Sequence, residues 1–261
     1  MRGHLLVCLL ALVFVAPLAV LGMYAFGSGW TFPGLAPQRF DLRAVEYLAG
    51  EWRSVGVHLA SSVAYSLATA ALTLVLAIAP AHLFARRRFK GKVFLEGILL
   101  APALVPAMTF SMGVHFMFIR AGLADTMAGV VLVLATFTYP YMLRALVAGY
   151  ESFGEEYALC AQNLGAGALT RLWRVELPLL LPSIVAGGSV VFLVAFSEYF
   201  LVFLIGSGRV ESFTGYLFPF LASSDLGVAS ILTLVFFAAP LVLFAVVEFT
   251  VARAYRRRGL Y

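Results

Sequence analysis

Residues Glu155–Pro182 read EEYALCAQNLGAGALTRLWRVELPLLLP, between two long apolar runs. Tyr157, Cys160, Ala161 and Leu164 fall at i, i+3, i+4 and i+7, which predicts an apolar stripe on a helix of about three turns. Glu155 and Glu156 stand in its first turn, where the helix dipole favours negative charge. Gly165-Ala166-Gly167 is expected to stop it, because glycine takes the left-handed conformation that a sharp C-terminal stop requires. Ala168–Glu176 predicts a second short helix with Leu169, Leu172 and Trp173 on one stripe and Arg171 and Arg174 off it. Leu177-Pro178 is then expected to break that helix and begin the next apolar run. Two short helices at an angle make a compact knob. Such a knob either docks in a cleft of a cytoplasmic partner or lies as an amphipathic hairpin on lipid headgroups.

Composition narrows the setting. The chain has 261 residues, 62% hydrophobic and only 12% charged, about half the charge of a soluble domain. Water is therefore not its only solvent. The net charge of +5 is scattered through short loops and forms no basic face on a soluble domain, which excludes a nucleic-acid binder. Cys8 lies in an apolar run and Cys160 in the loop, so no structural disulfide is expected. No CxxC or Cys/His cluster suggests a metal.

A helix needs about 20 apolar residues to cross a bilayer. Six runs qualify: 5–26, 57–85, 93–119, 126–150, 179–205 and 226–252. The first extends past the apolar region of a signal peptide and is expected to be an uncleaved anchor. With the N-terminus inside, cytoplasmic segments hold thirteen of the 18 Lys and Arg residues: Arg2, Arg86, Arg87, Arg88, Lys90, Lys92, Arg144, Arg171, Arg174, Arg253, Arg256, Arg257 and Arg258. Arg39, Arg43, Arg53, Arg120 and Arg209 fall outside. The positive-inside rule thus puts both termini in the cytoplasm. The outer loops are 27–56, 120–125 and 206–225, and the inner loops 86–92 and 151–178. Pro17, Pro80, Pro102, Pro106, Pro140 and Pro240 are expected to kink spans packed against other helices. Small-residue stretches such as Ala60-Ser61-Ser62 and Ala186-Gly187-Gly188-Ser189 permit close helix approach. The expected fold class is all-α: one polytopic membrane bundle over residues 1–261, with no inverted repeat or broken helix legible.

The loop resembles the EAA loop of type I ABC importer permeases, whose pattern is EAA, three residues, Gly, and about a dozen residues to Leu-Pro. The matching run here is Leu159-Cys160-Ala161, Gln162-Asn163-Leu164, Gly165-Ala166, Trp173-Arg174 and Leu177-Pro178. Leu159 stands where the family has glutamate. The acidic contact then falls either to Glu156, one turn earlier, or to a partner permease. The stretch Phe84-Ala85-Arg86-Arg87-Arg88-Phe89-Lys90-Gly91-Lys92 resembles the family's basic inner loop after a Ser/Thr/Ala-rich span. The segments Phe196–Phe200 and Leu204–Gly208 resemble permeases for polyamines, ferric iron, thiamine and phosphonates. The resemblance implies a permease of an ATP-driven, binding-protein-dependent importer in the bacterial inner membrane. It implies an ABC ATPase dimer carrying ATP and Mg, a second permease (paralogue or self), a periplasmic or lipid-anchored solute-binding protein and membrane lipid as partners, with no cofactor in this chain. Glu156, Tyr157, Cys160, Ala161, Leu164, Gly165, Ala166, Trp173 and Arg174 would form the ATPase-coupling surface.

Within the apolar runs, Glu198 is the outstanding polar residue, since an intramembrane carboxylate is costly unless it faces a cavity or a partner. It either lines a path for a cationic or polar solute or pairs across an interface between permeases, with Ser197 and Tyr199 beside it. His115, near Ser111 and Thr109, either lines the same path or is satisfied within the bundle. Glu96 is expected to pair with Lys92, and Glu248 to snorkel or pair near Arg253. Gly206-Ser207-Gly208 lacks the lysine and strand context of a phosphate loop, and no catalytic constellation is present. The alternative to an importer permease is a secondary transporter or another polytopic protein without an ATPase. A secondary transporter would usually show inverted repeats and broken helices.

Overall fold

The computed structural model of the chain describes residues 2–28, 30, 34, 37–223 and 225–257. Arg258, stretches 31–33 and 35–36 of the segment expected as the first outer loop, and the side chains of Arg2, Cys8, Arg256 and Arg257 lie outside the described residues. The helices are α1 (Arg2–Ala25), α2 (Arg43–Gly50), α3 (Trp52–Arg86), α4 (Lys92–Leu100), α5 (Ala107–Arg120), α6 (Met127–Ser152), α7 (Glu156–Asn163), α8 (Ala168–Arg171), α9 (Leu177–Ser197), α10 (Phe200–Gly206), α11 (Phe213–Leu221) and α12 (Leu226–Arg257). Gly27–Ser28 (β1) pairs antiparallel with Arg39–Phe40 (β2).

Among the described residues, four helical stretches are long and apolar enough to cross a membrane: Trp52–Arg86, Met127–Ser152, Ala168–Ser197 and Leu226–Thr250. A bent pair, Lys92–Leu104 with Ala107–Arg120, makes a fifth if it counts as one crossing. The run expected as a continuous span over 93–119 is thus a correction: its halves meet at 101°. The cause is local. Pro106 disfavours the helical region for the residue before it, and Val105 is extended at φ −91°, ψ 130°. The expected span over 179–205 is also interrupted, at Glu198, whose ψ of 116° leaves the helix before α10 begins. Among the described residues, expected spans are therefore broken twice, which was not legible in the sequence. By contrast Pro17, Pro80, Pro140 and Pro240 lie inside continuous helices, as does Pro182.

The chain forms two compact units, and α3 contributes to each. The first comprises Met1–Ala60 and Phe213–Tyr261. Here α12 packs against α1, α2 and α11. Its core gathers Ala25, Ala44, Val55, Phe213, Leu217, Val228, Ile231 and Leu232. Thus α2 and α11 give regular structure to two segments expected as outer loops. Arg43 donates to both carboxylate oxygens of Asp225, each at 2.7 Å. The Tyr47 and Tyr216 hydroxyls lie 2.9 Å apart, and burial with this bond pushes the Tyr47 phenol well above its ordinary value.

The second unit is Ser61–Ser212. Its centre is α6, which supplies Val130, Val133 and Leu134 to one cluster, with Tyr65, Leu201, Val202 and Ile205. It supplies Met142, Leu143, Leu146 and Tyr150 to another, with Ala77, Ala81, Phe84 and Leu180. Small residues allow α6 and α9 to touch, as expected for Gly187: a Cβ there would lie 2.7 Å from the Ala145 Cβ. Ser62, Ser66, Thr69 and Thr73 form a fully buried hydroxyl stripe on one face of α3. Thr73 donates back to the Thr69 carbonyl at 3.0 Å, as hydroxyls in apolar surroundings do.

Candidate functional site

The 155–177 segment sits between the two best-packed helices of the second unit, α6 and α9. Gly154 turns the chain out of α6 at φ +66°. The α7 helix is eight residues long, shorter than the three turns expected, and Glu156 occupies its first turn. It ends where the sequence indicates. Gly165 is left-handed at φ +85°, the Ala166 N–H donates to the Ala161 carbonyl at 3.0 Å and the Gly165 N–H to Gln162 at 2.9 Å. This is a Schellman stop, which satisfies carbonyls that the helix end would otherwise leave open.

The second half departs from expectation. Leu177-Pro178 does not break the chain: Ala168–Ser197 runs on as one 30-residue helix. The join is a π turn at Leu172–Glu176, in which the Leu177 N–H reaches the Leu172 carbonyl. Widening the helix by one residue accommodates the proline ring and places its missing donor at the seam.

The apolar groups of the segment mostly face outward. Leu164 is 84% exposed, Leu169 70%, Trp173 65% and Tyr157 56%. Cys160 is an exposed free thiol, while Ala161 and Ala166 are half-buried and Arg174 is exposed. So many exposed large apolar groups form a patch of the kind that marks a protein–protein or membrane interaction site.

Beneath this face lies a polar network. Glu176 is only 4% exposed. Its carboxylate accepts from Arg171 Nε at 2.8 Å and from the Tyr150 hydroxyl at 3.2 Å. Arg86 donates to the Gly154 carbonyl and lies over the rings of Tyr150 and Phe153, 5.9 and 5.2 Å from their centroids. The turn out of α6, the end of α3 and the start of α9 are thus cross-linked through charged groups. Sequence reasoning passed over Glu176; the signal was a carboxylate directly before the apolar run Leu177–Pro182.

The residues singled out in the apolar runs do not form one cluster. Glu198 lies at the α9–α10 break, where its carboxylate accepts from the Leu201 N–H at 3.2 Å and so caps α10. Ser197 donates to the Leu193 carbonyl at 2.8 Å, and Tyr199 stacks on Phe203 at 5.5 Å. Ser111, on α5, is buried and donates to Met108 at 2.9 Å. His115 follows one turn later with its buried Nδ1 unpartnered. Glu96 pairs with Arg144 at 3.1 Å and not with Lys92, whose ammonium instead donates to the Phe84 carbonyl at 2.6 Å. Arg253 stacks on Phe249 at 4.4 Å, and Glu248 enters no ion pair among the described residues. Beside Arg144, an apolar cavity of about 600 Å³ opens between Leu100, Leu104, Tyr141, Gly187 and Val190.

Known proteins share both sequence and fold. Residues 74–258 match the family described as binding-protein-dependent transport system inner membrane component. The molybdenum transport system permease protein ModB of Mycobacterium tuberculosis is 30% identical over 150 residues, covering 53% of this chain and 57% of that one. The thiamine transport system permease protein ThiP of Brucella suis is 28% identical over 219 residues, covering 76% of this chain and 38% of that one. The chain therefore spans little more than half the length of ModB and well under half that of ThiP. The fold is similar to a chain in the crystal structure of a bacterial ABC transporter involved in the import of the acidic polysaccharide alginate. The TM-score is 0.73 at 17% identity, covering 95% of this chain and 94% of that one. With 185 of its residues matched by the family pattern, this chain belongs to the inner membrane components of binding-protein-dependent transport systems.

Proposed function

We propose that this chain is a transmembrane permease subunit of an ATP-driven, binding-protein-dependent ABC importer. The single observation that carries the coupling reading is the outward apolar face of 156–173 fixed above the Glu176 network. A partner docked on Tyr157, Leu164 and Trp173 pushes on a segment continuous with α9, so its motion reaches the bundle as a rigid-body rotation. Glu156, Cys160, Ala161, Gly165, Ala166 and Arg174 complete the docking surface. The partner is an ABC ATPase dimer, which supplies ATP and Mg. A second permease, paralogous or identical, completes the solute path, and a periplasmic or lipid-anchored binding protein delivers the solute. In this reading the chain crosses six times, through α1, α3, the bent α4–α5 pair, α6, α9 and α12, and the Lys and Arg bias of the loops supports cytoplasmic termini. The whole chain acts as one permease domain. Glu198, Tyr199, Ser197, His115 and Ser111 are the candidates along the path, and no catalytic or metal site is assigned.

The test uses Cys160 in a Cys8→Ser background. Host membranes are labelled with a thiol cross-linker, solubilised in mild detergent, and the captured partners are identified by mass spectrometry. Cross-linking to an ATPase supports the reading, and a second permease in the same complex distinguishes heterodimer from homodimer. Recovery of the chain without any ATPase sinks the coupling argument and favours a secondary transporter.

A further inference from the structure

A separate cavity with a polar lining, of about 250 Å³, lies between the end of α3 and α7. Arg86, Arg87 and Arg171 line it with His82, Gln162 and a single carboxylate, Glu155. Arg171 is neutralised by Glu176 at 2.8 Å. Among the described residues Arg86 bonds only a neutral carbonyl and overlies two rings, contacts that hold the guanidinium without cancelling its charge. Arg87 enters no ion pair among the described residues. Two guanidinium groups therefore face one exposed carboxylate, and the cleft retains positive charge. The imidazole of His82, set edge-on to Tyr150 at 5.2 Å, and the Gln162 amide add further polar groups.

We infer that this cleft holds the phosphate group of an anionic phospholipid. Guanidinium forks match phosphate oxygens, and basic pockets between membrane helices are sites for anionic headgroups. The cavity is smaller than pockets for drug-sized ligands, which suits a headgroup and disfavours a nucleotide. Its depth fits as well: Arg86 ends one candidate span and Arg171 stands in the first turns of another, at the level where Lys and Arg meet headgroups. Leu159, 53% exposed on the same wall, offers an apolar contact for the glycerol and upper acyl region. The inference rests on the family's membrane placement and not on ATPase coupling.

The experiment places the full-length chain in nanodiscs of equal parts phosphatidylcholine and phosphatidylglycerol. Native mass spectrometry then counts the lipid retained after detergent release. Retained phosphatidylglycerol, with about five-fold less in Arg87→Ala and no change in Arg88→Ala (exposed and off the cleft), supports the site. A parallel titration of inorganic phosphate follows the melting temperature in neutral detergent. Arg87-dependent protection by phosphate without retained lipid overturns the lipid source and assigns the cleft to soluble phosphate. Lipid retention indifferent to Arg87, or lost equally in Arg88→Ala, overturns the site itself. An ATPase that fails to co-purify while lipid retention stays Arg87-dependent would sink the coupling reading and leave this one standing.

Discussion

Arg171 Nε and Glu176 Oε1 meet at 2.8 Å across the π turn that joins α8 to α9. The pair is asymmetric, since the Glu176 side chain is 5% exposed and that of Arg171 is 25%. Removing Arg171 strands a buried carboxylate, whereas removing Glu176 leaves a cation that can still reach water. Arg171→Ala should therefore cost about 3 kcal/mol, at the low end for breaking a buried pair. Glu176→Gln, which keeps an acceptor for Tyr150, should cost about 1 kcal/mol. Melting temperatures in detergent test the order, and a lower value for Glu176→Gln would reverse the argument.

Gly165 has open space around its missing Cβ but a φ of +85°. Gly165→Val therefore meets no clash and is resisted by the backbone alone, by about 1–2 kcal/mol. The expected result is a bundle that melts near the wild-type temperature while uptake uncouples from ATP hydrolysis. Unchanged uptake in proteoliposomes would show that the segment is not a coupling knob.

Neighbouring glycines on α9 should behave differently. A Cβ on Gly187 would lie 2.7 Å from Ala145, whereas one on Gly188 has its nearest heavy atom 3.9 Å away. Gly187→Leu forces α6 and α9 apart and should destabilise by about 1–3 kcal/mol. Gly188→Ala should be tolerated. Comparable melting losses in both variants would contradict the close α6–α9 approach.

The Arg43 guanidinium, by hydrogen bond and charge, holds the Asp225 carboxyl below its ordinary range, and Arg43 is raised in turn. A carboxyl whose folded value is depressed adds stability above its unfolded value and loses it as pH falls through the folded one. Acidification below about pH 4 should therefore remove this contribution. Both groups are partly exposed, so the pair contributes about 0.2–1 kcal/mol. Asp225 also accepts from the Val228 N–H at 3.2 Å, capping α12. Asp225→Asn should lose only the ion pair, whereas Asp225→Ala loses the cap too, about 1 kcal/mol more. Equal unfolding midpoints for the two variants would deny the capping role.

Much of the fold was legible because crossing a bilayer is a property of chain length and apolarity. Runs 57–85, 126–150 and 226–252 became α3, α6 and α12 with ends shifted by a few residues. The α7 stop at Gly165 was equally legible, since a left-handed residue is a local requirement. Glu176 escaped notice because the burial that makes it matter comes from packing, and of its two partners Tyr150 is 26 residues away, beyond any helical spacing.

The sequence by itself determined that the chain is apolar, helical and interrupted by a structured loop with glycine-set turns. Each of these follows from one residue or one short window. Tertiary structure decided which prolines break helices. Pro106 splits a run at 101°, while Pro140 stays inside α6. The outcome depends on whether surrounding helices re-satisfy the freed backbone groups, which no local window contains. It likewise decided that Glu96 meets Arg144, Glu176 meets Arg171 and Tyr150, and Glu198 caps α10. A charge buried in apolar surroundings takes whichever partner packing brings within reach.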